Sequence, residues 1–419
     1  MKRVLIIATT TGYQIRSFGE AAEKLGVRLV FASDRCDRLD DPWWDKAIPI
    51  RFHDELGSLQ AVVEALVATP PDGLIAVGDR PVTLAARIAE AFSLPGNPVG
   101  AALASRNKLE SRRAIQAAGL ATPAFRPISL EDDPRELSLT FNYPVVLKPL
   151  AMSGSRGVIR ANSSCQFWAG FERVRTLMAQ PDVRVERDLL HSMLLVESFI
   201  PGREYAVEGV LTNGVLQQFA IFDKPDPLDG PFFEETIYVT PSREAPAVQG
   251  AIESAVAGGA AALGLRHGPI HAECRVNEAG VHLLEVAARP IGGICSKSLR
   301  FVSARGEASL EEVLLRHALQ EDVTGFVRER RASGVMMIPI PHRGVYKSVS
   351  GERDARAVPD IVDVQITAKA DATVIPLPEG KSYLGFIFAR ADTPLAVEQA
   401  LRAAHAKLHF TIDREITVV

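Results

Sequence analysis

Cysteine is scarce: four among 419 residues, Cys36, Cys165, Cys274 and Cys295, with no CxxC spacing between any two. That argues against a disulfide framework and a structural zinc site, and it fits a reducing compartment. No apolar run approaches the roughly 18 uncharged residues that a membrane helix needs, so no membrane partner is expected. The apolar start Val4 to Ala8, behind Met1-Lys2-Arg3, is too short for a secretory leader and reads as a first strand, which points to a cytoplasmic location. An excess of one charge is lacking too. Lys plus Arg number 47 against 51 Asp plus Glu, a net charge of -4 with the signs interspersed, so nucleic acid is not an expected partner while small anionic ligands stay open. What remains, 47% hydrophobic and 23% charged residues, is the profile of a globular protein of about three domains.

Residues 1–100 alternate short apolar runs (Val4 to Ala8, Val27 to Ala32, Gly73 to Val77) with amphipathic stretches (Phe18 to Leu25, Leu59 to Ala68). This βαβαβ pattern predicts a parallel sheet of Rossmann-like type. Asp34, ending the second strand, would suit a dinucleotide, but the first turn, Ala8-Thr9-Thr10-Thr11-Gly12-Tyr13, lacks the glycines that let a pyrophosphate approach the backbone. A domain without its own nucleotide is therefore expected. After Leu94-Pro95-Gly96-Asn97-Pro98 the pattern changes, and Ala101 to Ala118 reads as one helix stopped by Gly119. A second domain is expected over 101–330 and an α+β domain over 331–419, with strands around Val335 to Ile340 and Tyr383 to Ala389 and a helix from Leu395 to Leu408.

The stretch from Ile270 to Val276, then Asn277-Glu278-Ala279-Gly280, then Val281 to Arg289 predicts a β-hairpin. A three-residue loop with Gly280 in the left-handed position pairs residue 277 with 281 and sets Glu273 opposite Glu285; a two-residue loop would put them on opposite faces. In the first register His271, Glu273, Glu285 and Arg289 share one face, and Ala272, Cys274, Leu284 and Val286 turn to a core. Opposed carboxylates ~5 Å apart repel unless a cation or a shared proton neutralises them. Oxygen-only donors point to a hard metal, with Mg2+ fitting best. Pro290-Ile291-Gly292-Gly293 beyond Arg289 allows a close backbone approach to a ligand.

Upstream, Tyr143 to Pro149 is a strand carrying Lys148, followed by the small-residue loop Ala151 to Gly157, whose Ser153, Gly154 and Ser155 can present backbone N–H groups to phosphate. It is no P-loop, since no Gly-Lys-Ser/Thr opens a helix. Leu194 to Gly209 is a strand, a break at Pro201-Gly202, and a strand; such a break can offer backbone groups to an adenine edge and a carboxylate to ribose.

These elements, in this order, resemble the ATP-grasp superfamily over about residues 105–300. The resemblance is carried by Arg106-Asn107-Lys108, Val146-Leu147-Lys148-Pro149, Ser153-Gly154-Ser155-Arg156-Gly157-Val158, Val196 to Glu204, Glu273, and Leu284 to Arg289. It implies an α/β ATP-grasp fold with Lys108 and Lys148 on ATP phosphates, Glu197, Ser198 and Phe199 as the adenine hinge, and Glu204 on ribose. It also implies one or two Mg2+ ions on Glu273 and Glu285, with Arg289 and Lys148 catalytic. Many members carry Asn where this chain has Ala287, which leaves the ion count open. Within the superfamily, Glu285 to Gly293, Gly334-Val335-Met336-Met337 and Tyr383 to Ile387 look most like the L-amino acid ligases.

That likeness implies a ligase that forms an amide or peptide bond through an acyl phosphate, releasing ADP and phosphate, with a small carboxylate and a small amine as partners, amino acids expected, and a homodimer left open. Two alternatives stand beside it: a ligase of the same fold using formate or bicarbonate, as in purine or biotin chemistry, and an ATP-binding sensor without turnover. Glu235 could hold an ammonium group or be a loop charge; His271 could act near the acyl phosphate or be packed; Cys295 reads as a small buried thiol.

Overall fold

The computed structural model describes residues 1–9, 15–34 and 47–414. Most of the anticipated first turn, Thr10 to Tyr13, and Cys36 lie outside the described residues.

The amino-terminal sheet is parallel, as the alternating pattern predicts. Arg3–Ala8 lies between Arg28–Ser33 and Gly73–Val77, and Ile48–Pro49 extends the edge. The first strand is apolar at successive positions because both of its faces are covered. Val4 and Ile6 pack with Phe18 and Ala21 of the helix Ile15–Leu25, while Leu5 and Ile7 pack with Val62 and Leu66 of the helix Glu55–Leu66. The same two cores take in Phe222 and Tyr238 on one side and Ile270 and Ala272 on the other, so this sheet is seated on the central one.

A four-stranded antiparallel lobe follows, ordered Phe125–Ser129, Met193–Ser198, Val145–Pro149, Ile159–Ala161. The helix Ser164–Met178 covers it with Phe167, Phe171, Val174 and Leu177, all buried, and starts where the Ser163 side chain accepts from the N–H of Gln166.

The central sheet has eight antiparallel strands, in the order Gly280–Ala287, Gly268–Asn277, Arg203–Thr212, Val215–Asp223, Ile237–Thr240, Ala332–Ile338, Gly385–Ala391, Ile361–Ile366. The last three come from beyond residue 330, so the carboxy-terminal strands continue the central sheet by hydrogen bonding rather than forming a separate layer. The helix Pro394–His405 packs on them through Val397, Leu401 and Ala404. Among the described residues no helix is long and apolar enough to cross a membrane.

The helix expected over Ala101 to Ala118 is two helices, Val99–Arg106 and Lys108–Ala117. Asn107 divides them: it leaves helical geometry, and its side chain accepts from the N–H groups of Leu109 at 3.0 Å and Glu110 at 3.4 Å. An asparagine is a better N-cap than a mid-helix residue because its amide oxygen satisfies these otherwise unpaired donors. The break makes Lys108 the first residue of a helix, a place where the backbone dipole disfavours a cation and favours an anion.

Candidate active site

A cavity of about 710 Å³ opens between the parallel sheet, the four-stranded lobe and the central sheet. It is lined by Lys108, Lys148, Ser153, Gly154, Ser155, Glu197, Ser198, Phe199, Glu204, Glu273, Glu285 and Arg289, so the residues singled out from sequence converge on one surface. His271, Glu235 and Cys295 line it as well.

Glu273 pairs with Glu285, as expected, but by another route. Asn277 pairs with Gly280, so the loop is the two residues Glu278-Ala279, with the Asn277 side chain accepting from the N–H of Ala279 at 2.9 Å. A β-bulge between Glu273 and Cys274 then skips Leu284, and this second one-residue change cancels the first. Its signature is a swap of leucines: Leu283 is in the core and Leu284 lines the cavity, the reverse of the expected faces. Above the hairpin, Gly202 has φ +119°, and a Cβ there would stand 2.2 Å from the carbonyl oxygen of Val276. Glycine alone lets the Pro201-Gly202 break lie on the hairpin.

The bulge is clamped by Arg112, which the sequence reading missed. Its guanidinium donates to the carbonyls of Leu283 and Leu284, each at 2.9 Å, and its Nε donates to Glu197 at 2.5 Å. Lys148 reaches the other Glu197 oxygen at 2.6 Å. Arg112 and Glu197 are each 2% exposed, so Glu197 is a buried counterion joining helix, lobe and hairpin, not a strand-end charge. Burial alone would raise its carboxyl; Arg112 and Lys148 outweigh that and hold it at about 2. Lys148 is displaced downward, burial outweighing the pull of Glu197. The other hinge residues are also committed: Ser198 and Phe199 donate their N–H groups to Ala124 at 2.8 Å and Pro144 at 3.0 Å.

Arg289 is fixed from the amino-terminal sheet, its Nε donating to Asp79 at 2.9 Å and its Nη1 to the carbonyl of Pro290 at 3.1 Å. Asp79 sits just past the strand Gly73–Val77, and burial would raise its carboxyl, but Arg289 and then Lys108 hold it low. It too was missed, although ligand sites collect at the carboxyl ends of parallel strands. Lys108 donates to the carbonyl of Met152, tying the helix start to the small-residue loop. That loop is docked under the carboxy-terminal region: the Gly157 N–H donates to Pro378 at 2.8 Å and Arg156 Nε to the carbonyl of Glu379 at 2.8 Å.

Behind the hairpin, Lys224 donates to Glu204 at 2.9 Å, Glu235 at 2.5 Å and Glu273 at 3.1 Å. Arg275 takes the second oxygen of Glu204 at 2.9 Å, so the proposed ribose carboxylate is engaged at both oxygens. The repulsion expected between Glu273 and Glu285 is thus relieved from inside the protein, which removes that repulsion as an argument for a metal. The hard oxygen donors of the pair still fit Mg2+. Burial raises Glu235 to about 7, despite Lys224 beside it. Burial would lower His271, but its bonds to Glu208 and Glu273 raise it to about 9. Its Nδ1 lies 3.0 Å from Glu208 and its Nε2 3.7 Å from Glu273. Cys295 is buried, and burial pushes its thiol up.

The chain matches the family models for an ATP-grasp N-terminal domain over residues 19–96, an ATP-grasp domain over 141–298 and an L-amino acid ligase C-terminal domain 2 over 336–413. Dapdiamide A synthase of Enterobacter agglomerans is 25% identical over 306 residues, covering 70% of this chain and 68% of that protein. The crystal structure of an L-amino acid ligase from Bacillus licheniformis is similar with a TM-score of 0.79 at 25% identity, covering 99% of each chain. Carboxyaminoimidazole ribonucleotide synthase of Aspergillus clavatus, solved with ATP, has a TM-score of 0.69 at 17% identity over 95% of this chain and 97% of that one, a likeness of fold alone. With matching models from the first domain to the last, the chain belongs to the ATP-grasp superfamily, on the side of its L-amino acid ligase group.

Proposed function

We propose that this chain is an ATP-dependent carboxylate–amine ligase that activates a small carboxylate as an acyl phosphate and transfers the acyl group to an amine, with amino acids as its substrates. The observation that carries the reading is the convergence of Lys108, Lys148, Arg289 and the opposed pair Glu273 and Glu285 on one cavity. In this reading a carboxylate oxygen attacks the γ-phosphorus of ATP, the bond to the β,γ-bridging oxygen breaks, and ADP leaves. The amine nitrogen then attacks the acyl carbon, and phosphate leaves.

Two anions must meet, so the protein contributes positioning and charge neutralisation and needs no side-chain nucleophile. Lys108 and Lys148 line the cavity together with Ser153, Gly154 and Ser155 and suit phosphate oxygens. Arg289, already ordered by Asp79, suits the transferred group without further loss of freedom. Mg2+, held by Glu273 and Glu285, would neutralise phosphate charge as a Lewis acid. Because Ser198 and Phe199 donate into the sheet, the adenine edge falls to the N–H of Ile200 at the break. A cytoplasmic setting and small-molecule partners go with this reading.

The test is ADP release with ATP, Mg2+ and pooled amino acids, followed by product masses. Release that needs both a carboxylate and an amine is expected. Release driven by bicarbonate or formate would favour the other carboxylate reading, and tight ATP binding with no turnover on any pool would favour a sensor. Glu285→Ala is expected to abolish turnover with an unchanged thermal midpoint; near-normal activity would remove the metal assignment.

A further inference from the structure

Lys224 follows directly on the strand Val215–Asp223, and its side chain is 3% exposed. Its ammonium lies behind the wall that Glu204, Glu235 and Glu273 present to the cavity. An ammonium has three donors and no acceptor, and these three carboxylates take one contact each, at 2.9, 2.5 and 3.1 Å. The face of Tyr238 adds a fourth contact, 5.0 Å from the ring centre. One oxygen from each carboxylate lies within 4.8 Å of the others, close enough to hold a metal ion. In this chain a cation tethered to the backbone stands there. Swinging it away would leave three buried or half-buried carboxylates, with Arg275 still on Glu204. Farther along the hairpin, Ala287 lies opposite His271, is buried, and offers no ligand atom.

We propose that Lys224 is a built-in cation that takes the place of one divalent ion, so that the hairpin loads a single Mg2+ with nucleotide, between Glu273 and Glu285. The ammonium position anticipated at Glu235 is thereby filled from within the chain rather than by a substrate amine. The inference rests on the reading of Glu273 and Glu285 as metal ligands.

The test counts ions on the full-length protein. Mn2+ is titrated in the presence of saturating AMP-PNP, a non-hydrolysable ATP analogue, and free Mn2+ is read by electron paramagnetic resonance. One tightly held Mn2+ per chain is expected for the wild type and for Lys224→Arg, which keeps the charge. Lys224→Met is expected to hold two, and to gain thermal midpoint on adding Mn2+ without nucleotide, where the wild type does not. Two tight ions in the wild type would overturn the proposal, as would identical counts in wild type and Lys224→Met. Should Lys224→Met fail to fold, the wild-type count decides: one ion supports the proposal and two refute it. No tight ion in any protein would overturn the metal assignment itself and this inference with it.

Discussion

Glu197→Gln removes one charge from the buried triad with almost no change of shape, which makes it a sharp probe of how the site is held together. In the wild type the carboxylate takes Arg112 Nε at 2.5 Å, Arg112 Nη2 at 3.3 Å and Lys148 at 2.6 Å. Removing one partner of a buried ion pair costs about 3 to 5 kcal/mol, because the remaining charges stay desolvated and uncompensated. For 419 residues unfolding as one cooperative unit that corresponds to a fall in thermal midpoint of about 3 to 6 °C. A second consequence is electrostatic. Burial already lowers Lys148, and Glu197 is the group that opposes it. Without that carboxylate the lysine falls further and loses its charge as pH rises. Binding of an ATP analogue by Glu197→Gln should therefore weaken from pH 7 to pH 9 more steeply than binding by the wild type, measured by calorimetry at both values. A midpoint within 2 °C of wild type, together with parallel pH profiles, would refute the triad as both a structural and an electrostatic device.

The same triad marks where sequence reading stops. Arg112 meets Glu197 across 85 residues and Lys224 meets Glu273 across 49, so nothing local announces either pair. Buried charges with distant partners become legible only when the chain is folded. Glu273 and Glu285 were readable as opposed because alternation along each strand constrains their faces. Yet the route to that answer was wrong twice, in turn length and in the missing bulge, and the two one-residue errors cancelled because the side-chain period is two. A bulge held by an arginine from another helix leaves no pattern in the hairpin itself. The helix break was a different kind of miss. Asn107, three residues before Glu110, has the spacing of a helix start, and the good helix formers on both sides of it, Ala101 to Arg106 and Lys108 to Ala118, masked that signal. The parallel sheet was readable because strands buried on both faces are apolar throughout, as Val4 to Ala8 are.

Gly202→Ala should lower stability by more than about 2 kcal/mol, since the new Cβ would meet the carbonyl of Val276 at 2.2 Å in a backbone conformation with φ +119°; an unchanged thermal midpoint would contradict the close approach. His271 supplies a pH-dependent term whose sign follows from its partners. Glu208 and Glu273 raise its pKa to about 9, against about 6.5 in an unfolded chain. The folded state therefore holds the proton more tightly, and the stability gained is fully present below pH ~6.5 and is lost as pH climbs through 9. The shift sets an upper limit of about 3 kcal/mol. Urea unfolding of metal-free wild type and His271→Gln across this window should show their stability difference shrinking in favour of the variant as pH rises. A difference that stays flat or grows would mean that His271 is neutral in the folded protein, and that Lys224 is left as the principal cation on Glu273.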